Sequence, residues 1–162
     1  MKTIKMTKVL IAMDYDKTAQ KVAEEGFTLA KTMGAEVILV HVIADPVNYT
    51  SPGHITIMGF AGYPDVNETQ ADSTEILKLA STQFLEKARH HLGDDTIQIF
   101  VEEGDLADAI LKTAKKMHAD IIVMGTHSRK WLENILIGSA TEKVLSLTSI
   151  PLLIIPTKKP KQ

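Results

Sequence analysis

The sequence predicts an α/β fold: a single doubly wound domain in which four helices cover a five-stranded parallel sheet. Five short apolar runs alternate with four amphipathic stretches along the 162 residues, and this alternation is typical of parallel sheets covered on both faces. The crossovers between successive runs are long enough for a helix, as parallel connections require. A chain of this length buries a substantial core, so we expect one domain over residues 1–162.

Composition excludes several classes of function. The chain has no cysteine, which excludes disulfides, thiolate metal sites and thiol catalysis. Its net charge of −2 provides no basic face for nucleic acid. Zinc-protease, serine-hydrolase and Walker A motifs do not occur, and no apolar run suits a signal peptide or a membrane span. We therefore expect a cytoplasmic protein that binds neither nucleic acid nor membranes and has no metal site or catalytic residues of its own.

The first part of the predicted domain is a strand-helix-strand unit. Val9 to Met13 is a continuous apolar run, typical of a strand covered on both faces, and Asp14 ends it. From Thr18, small and apolar residues recur at helical spacing as far as Gly34, which suits a helix C-cap. The second strand is Val37 to Ile43, and the helix that precedes it indicates a right-handed parallel connection.

Residues 45–69 interrupt this alternation. The segment contains three prolines and three glycines, so no regular element is predicted. A loop of this length in a compact domain is usually functional or mobile. Two interpretations stay open for it: a surface insertion, and a lid over a binding site.

Two further helix-strand pairs follow the long loop. A capping-box pattern at Asp72 starts an apolar stripe that predicts a helix as far as Gly93. Alternation from Thr96 to Val101 predicts strand three. Acidic residues from Asp105 onward favour the start of helix three, and the apolar run from Ile121 to Met124 is strand four.

The last predicted elements are helix four and strand five. The helix begins at Gly138 and Ser139, and the strand is the apolar run between Pro151 and Pro156. Two prolines on one strand indicate an edge of the sheet. An apolar edge strand needs a cover, so we predict a homodimer that pairs this strand with its copy. Residues 157–162 are expected to be a frayed tail.

The stretch from Asp120 to Ala140 carries the clearest functional pattern. An apolar strand ends at Met124, turns at Gly125 and leads through a polar segment to the predicted start of helix four. Free N–H groups and the helix dipole favour an anion at such a place, and open α/β sheets bind phosphate there. We therefore predict a nucleotide site, although a glycine after a strand also occurs as a plain turn residue.

Several side chains near this site have two possible roles each. Asp14 could accept hydrogen bonds from a nucleotide or form an Asx turn. The hydroxyl of Ser139, which has capping-box spacing with Glu142, could cap the helix or contact phosphate. His127 and Arg129 could contact phosphate or lie on a solvated loop.

The spacing along this loop is distinctive: Gly125, two residues, Ser128, nine residues, then Gly138 and Ser139. It resembles the nucleotide loop of the universal stress protein family, G-x2-G-x9-G-[ST], with Ser128 in place of the second glycine. The similarity also covers IAMD at the end of strand one, His41-Val42 near the end of strand two, GSATEKVL in helix four and the closing IPLLIIP. It therefore extends over nearly the whole chain.

The resemblance implies a Rossmann-like adenine nucleotide-binding fold, commonly a homodimer, in the ATP-binding branch of the family. It implies that Asp14 and Val42 contact adenine and ribose, Val42 mainly through its backbone. The ribose and phosphates would contact Met124, Gly125, His127, Ser128, Gly138, Ser139 and Ala140. The ligand would be ATP, or ADP or AMP, with or without magnesium. The side chain of Ser128 would either crowd a phosphate or force a less favourable backbone angle, because serine tolerates positive φ poorly. Its hydroxyl could equally donate a hydrogen bond.

The function that the resemblance implies is ATP binding in a regulatory or protective role during stress. Phosphoryl transfer usually needs magnesium held by acidic residues, and the loop offers only Glu133. We therefore expect no enzymatic activity beyond very slow ATP hydrolysis. The alternative is a nucleotide-free dimeric interaction module of the same fold, in which Ser128 has abolished binding. An adenylating enzyme is a third possibility, but the chain shows no catalytic cluster for it.

Overall fold

A computed structural model describes residues 5–43, 73–126 and 139–157 as a parallel five-stranded sheet with four helices. In chain order the elements are β1 (Lys8–Ala12), α1 (Ala19–Met33), β2 (Glu36–Ile43), α2 (Ser73–Leu92), β3 (Gln98–Glu103), α3 (Leu106–Lys116), β4 (Ile121–Gly125), α4 (Ser139–Leu147) and β5 (Leu152–Ile155). The strand order is β3-β2-β1-β4-β5, and every pairing is parallel. The predicted fold class is confirmed.

Strand β1 lies at the centre of the sheet, between β2 and β4. From β1 the chain builds outward through β2 to β3, and then crosses back to place β4 on the other side of β1 and β5 beyond it. The direction of the crossovers therefore reverses between β1 and β4. In doubly wound sheets this reversal opens a crevice at the carboxyl ends of the two strands.

Two apolar layers cover the two faces of the sheet. Val9 and Ile11 of β1 pack in the layer beneath α1 and α2, together with Phe84. Leu10, which lies between them in sequence, packs in the opposite layer with Ile110 of α3. These three β1 side chains are completely buried. Both faces of β1 are therefore covered, as its unbroken apolar sequence predicts.

Strand β3 begins and ends two residues later than the predicted range, Thr96 to Val101. The N–H and hydroxyl of Thr96 donate to Asp94 Oδ1 at 3.0 and 2.5 Å, so Thr96 is held in a turn. At the other end, β2 continues to Ile43, which pairs with Glu103. Pairing with β2 therefore extends β3 past the end of its alternating sequence pattern.

The other element boundaries agree with the sequence within one or two residues. Gly34 and Gly93 follow the ends of α1 and α2 with φ angles of 65° and 70°, in the left-handed region that favours glycine. Asp105 caps α3, because its side chain accepts a hydrogen bond from the first turn. β5 is an edge strand of the described sheet, as Pro151 and Pro156 predict.

Some predictions fall outside the residues that the structure describes. The possible lid at 45–69 and the tail beyond Thr157 lie there, as does the predicted capping residue Asp72. Within the described segments, no helix combines the length and the apolar character that crossing a membrane requires. The same segments contain no cluster of three or more histidine or acidic side chains that could hold a metal ion.

Candidate functional site

A cleft opens at the carboxyl edge of the sheet, where β1 and β4 lie side by side. The ends of β1, β2 and β4 form its floor, and the first turns of α1, α3 and α4 contribute to its walls. Most of the lining is apolar, with a few polar groups, as is usual for small-molecule sites. The described lining residues are Ala12, Met13, Asp14, Thr18, Ala19, Val22, Val40, Val42, Leu106, Ile110, Met124, Gly125, Ala140 and Thr141.

The structure brings together five of the residues that the sequence assigns to a nucleotide site. Asp14, Val42, Met124, Gly125 and Ala140 all line this cleft, although they come from the loop after β1, from two other strands and from a helix. Parallel strands place their carboxyl ends at one edge of a sheet, which is why residues so distant in sequence meet here.

The remaining predicted site residues lie between β4 and α4 or at the first position of α4. His127, Ser128, Arg129 and Gly138 lie outside the described residues. Ser139 is the first residue of α4, and only its backbone is described. The roles predicted for these five residues stay predictions.

Strand β2 extends past the end of β1 at the floor of the cleft. Ala12 and Val40 are the last residues of the two strands in register, and the Met13 N–H still donates to the Val40 carbonyl at 2.9 Å. Backbone groups on one side of a strand recur at every second residue. Val42 therefore turns its backbone toward the side on which β1 has already ended, consistent with a ligand contact through its main chain.

Asp14 lies half-buried in the loop between β1 and α1, and hydrogen bonds hold the residues around it in place. The carbonyl of Met13 accepts a hydrogen bond from His41 Nδ1 at 2.8 Å. Asp16 Oδ1 accepts bonds from the N–H and hydroxyl of Thr18, at 2.8 and 2.6 Å. An Asx turn thus forms in this loop at Asp16, while Asp14 lines the cleft.

A buried hydroxyl ties the first turn of α4 to the end of β4. Thr141 is 2% exposed and donates to the Gly125 carbonyl at 3.1 Å. This bond holds the N-terminus of α4 at the rim of the cleft. Because the first N–H groups of a helix have no partner within it and the dipole adds positive charge, this rim suits an anion. We did not predict Thr141 from the sequence, although its helical spacing from buried Val144 indicated an inward position.

The chain that leaves β4 is fastened to the end of β5. Thr126 N–H donates to the Ile155 carbonyl at 3.1 Å. The Thr126 hydroxyl accepts a bond from Thr157 N–H at 3.0 Å and lies 3.1 Å from the Thr157 hydroxyl. These bonds fix the position at which the chain leaves Gly125.

Helix α3 contributes an apolar wall that was not predicted from the sequence. Leu106 and Ile110 line the cleft from its first turns. Beside them, Lys143 of α4 donates to Asp105 Oδ1 at 2.9 Å and joins the starts of the two helices. This hydrogen bond is the main cause that lowers the pKa of Asp105 and raises the pKa of Lys143. The only sequence signal for this wall was its position directly after a strand end.

The cleft suits a ligand with a flat apolar part and a negatively charged part. Apolar side chains of β2, β4 and α3 offer a surface for the flat part. Asp14 can accept hydrogen bonds from hydroxyl groups, and the start of α4 offers backbone N–H groups to an anion.

Comparison with known sequences identifies the relatives of this chain. The profile of the universal stress protein family matches residues 5–156. Universal stress protein MJ0531 of Methanocaldococcus jannaschii is 31% identical over 157 residues, which cover 96% of this chain and 84% of that protein. Universal stress protein MJ0577 of the same organism is 30% identical over 155 residues, with 93% and 95% of the two chains covered.

Solved structures share the same fold. The structure of MJ0577 superposes with a TM-score of 0.69 at 23% identity, and the match covers 96% of this chain and 99% of that one. A universal stress protein crystallised in complex with cAMP gives a TM-score of 0.64 at 15% identity, over 96% and 100% of the two chains. At this identity the structures establish the fold, and the sequence matches establish the relationship. The chain belongs to the universal stress protein family.

Proposed function

We propose that this protein binds an adenine nucleotide, ATP or its products ADP and AMP, in the cleft between β1 and β4. The observation that carries the proposal is the meeting of Asp14, Val42, Met124, Gly125 and Ala140 in one cleft beside the N-terminus of α4. A family member of the same fold in complex with cAMP, which is an adenine nucleotide, supports it.

The described residues fit such a ligand. The adenine ring would lie against the apolar side chains of β2 and α3, within reach of the Val42 backbone. Asp14 would accept hydrogen bonds from the ribose hydroxyls. The phosphates would approach Gly125 and the first turn of α4, where helix N–H groups favour negative charge.

We propose further that the nucleotide is a regulatory ligand and that hydrolysis is very slow or absent. Among the described lining residues, Asp14 is the single carboxylate. Phosphoryl transfer usually requires acidic residues that hold magnesium and a residue that positions the attacking water. With one carboxylate in the described lining, magnesium would be bound mainly by the phosphates of the nucleotide. Phosphate release over many turnovers, persisting through extensive purification, would contradict this proposal.

The role that we propose is regulatory or protective during stress, in a cytoplasmic homodimer. An edge strand with an apolar sequence supports the dimer, because pairing with a second copy would cover it. Leu145 and Leu147 of α4, the helix before β5, are 50% and 55% exposed. The same exposed leucines favour the second candidate function, a dimeric interaction module that holds no nucleotide.

The test is calorimetric titration with ATP and magnesium on matched variants. We expect Asp14→Ala to weaken binding about 10- to 100-fold, the typical effect of losing hydrogen bonds to a charged group. Asp95→Ala is the control, because it removes the same charge from an exposed residue in the turn before β3, at the opposite edge of the sheet. No binding to the wild-type protein at millimolar ATP would favour the interaction module. If the two substitutions weakened ATP binding equally, the cleft would not be the binding site.

A further inference from the structure

Behind the cleft, on the face of the sheet that α1 and α2 cover, lies a cluster of four side chains: Tyr15, His41, Ser81 and Phe84. His41, Ser81 and Phe84 are 2%, 0% and 1% exposed. Tyr15 directly follows Asp14, and Ser81 and Phe84 belong to α2. The cluster therefore connects the Asp14 loop to a helix that does not itself line the described cleft.

His41 makes the first connection of this cluster to the loop. Its Nδ1 lies 2.8 Å from the carbonyl oxygen of Met13. A carbonyl can only accept, so Nδ1 carries the proton and donates it. Met13 also donates its own N–H to the Val40 carbonyl at 2.9 Å. Two successive residues of β2 thus fix both backbone polar groups of the residue that precedes Asp14.

Tyr15 makes the second connection, on the other side of Asp14. Its hydroxyl lies 2.5 Å from the hydroxyl of Ser81. Its ring centroid lies 4.2 Å from that of His41 and 5.0 Å from that of Phe84. The two residues that flank Asp14 are therefore anchored to different elements, Met13 to β2 and Tyr15 to α2.

The polar character of this cluster needs an explanation beyond stability. Well-packed apolar residues usually stabilise a core at least as well as buried polar pairs, and a buried polar group is costly when its partner is lost. The hydrogen bonds of His41 and Ser81 define the conformation of the loop, because each bond fixes the position of one loop atom. The loop that they fix carries Asp14 into the cleft.

We propose that His41, together with the Tyr15–Ser81 pair, positions Asp14 for the ribose of a bound nucleotide. His41 acts through the backbone carbonyl of Met13 and Ser81 through the side chain of Tyr15, and neither contacts the ligand. This inference rests on the proposed nucleotide function, but it also predicts a property of the ligand-free protein that can be measured independently.

The first test is a double-mutant cycle on ATP affinity. We expect His41→Leu to weaken ATP binding about tenfold, and to change it less than about twofold when Asp14 is already alanine, because residues that act through one another are not additive. His41→Asn should restore most of the affinity, since its amide nitrogen can donate to the Met13 carbonyl. A purely structural role predicts the same loss in both backgrounds, and that result would overturn the proposal.

The second test uses hydrogen exchange in the ligand-free protein. We expect His41→Leu to speed exchange of the Asp14 and Tyr15 amides about tenfold, through loss of an anchoring hydrogen bond. Ser81→Ala should act in the same direction, and His41→Asn should behave like the wild type. The amide of Leu39, in the middle of β2, is the internal control and should keep its rate.

The two tests separate the two proposals. If the wild-type protein binds no ATP, the nucleotide function fails, and the exchange measurement alone decides whether His41 positions the loop. If His41→Leu leaves the Asp14 and Tyr15 rates unchanged while the protein stays folded, the positioning role is wrong even if ATP binds.

Discussion

Gly26 determines how closely α1 approaches the sheet. A Cβ atom built on Gly26 would lie 2.7 Å from Ile11 Cδ1 and 3.2 Å from Val123 Cγ1. Both neighbours are completely buried and belong to β1 and β4, the strands that flank the cleft. The sequence did not predict this close contact between α1 and the sheet. A glycine in a helical pattern indicates a lower helix propensity, but it does not indicate which side chains pack against it.

We predict that Gly26→Ala lowers the free energy of unfolding by about 1 kcal/mol. Overpacking a core costs about 1 to 3 kcal/mol, and the better helix propensity of alanine offsets about 1 kcal/mol of that cost. Denaturant unfolding measures the change, with Thr28→Ala on the exposed side of α1 as the control for propensity. A Gly26→Ala variant more stable than the wild type would mean that Ile11 moves aside freely.

Single residues of the site were predictable where strand ends alone determine their position. Asp14 and Gly125 each stand at the carboxyl end of a strand, so a parallel sheet brings them to one edge whatever the packing. Thr141 and Leu106 were missed, because their place in the cleft depends on how α4 and α3 cross the sheet. The angle at which these helices cross the sheet is set by packing between side chains distant in sequence, so it produces no local sequence pattern.

At the scale of elements, apolar runs, helical spacing and cap residues predicted every described helix and strand, and the errors lie where tertiary contacts set the ends. The turn from α2 to β3 is an example, since Asp94 holds Thr96 out of the strand. Asp94 also joins this turn to α1, because Lys31 Nζ lies 2.5 Å from its Oδ2. The Lys31 bond, followed by the Thr96 bonds, lowers the pKa of Asp94 from 3.8 to about 2.

We predict a pH-dependent contribution of Asp94 to stability. A carboxyl whose pKa is lowered in the folded state stabilises it fully above its unfolded pKa, here 3.8, and loses this contribution as pH falls through about 2. Because Lys31 is 55% exposed, we expect Asp94→Asn to cost only about 0.5 to 1 kcal/mol at neutral pH.

Denaturant unfolding of the wild type and Asp94→Asn across this pH range provides the measurement. The difference between the two proteins should shrink as pH falls below 3.8. Asp95→Asn, which removes the neighbouring charge at an exposed position, is the matched control. A difference that is constant with pH would contradict the role of the Asp94 charge.

For the whole molecule, the sequence predicted the doubly wound sheet because several independent sequence patterns indicated the same fold. Apolar runs, helix-length crossovers and the prolines around β5 all favour the same topology. Strand β5 forms one edge of the described sheet. Hydrogen bonds to β4 use the carbonyls of Pro151 and Ile155, so alternate residues such as Ile154 turn their backbone groups outward.

We predict that Ile154→Pro converts a dimer into a folded monomer. Proline removes the outward N–H that a second copy of β5 would use, and it leaves the bonds to β4 intact. Light scattering should give twice the 17.8 kDa chain mass for the wild type and for the Ile154→Val control. A monomeric wild-type protein at micromolar concentration would refute dimerisation through β5.

The most direct test of the central claim is titration of isotope-labelled protein with ATP and magnesium, followed by the NMR shifts of backbone amides. We predict saturable shifts that cluster at Asp14, Val42, Gly125 and Ala140, which line the cleft between β1 and β4. Amides at the opposite edge of the sheet, such as that of Asp95, should not move. Shifts that cluster away from the cleft, or none at millimolar ATP, would contradict the claim that this cleft is an adenine nucleotide site.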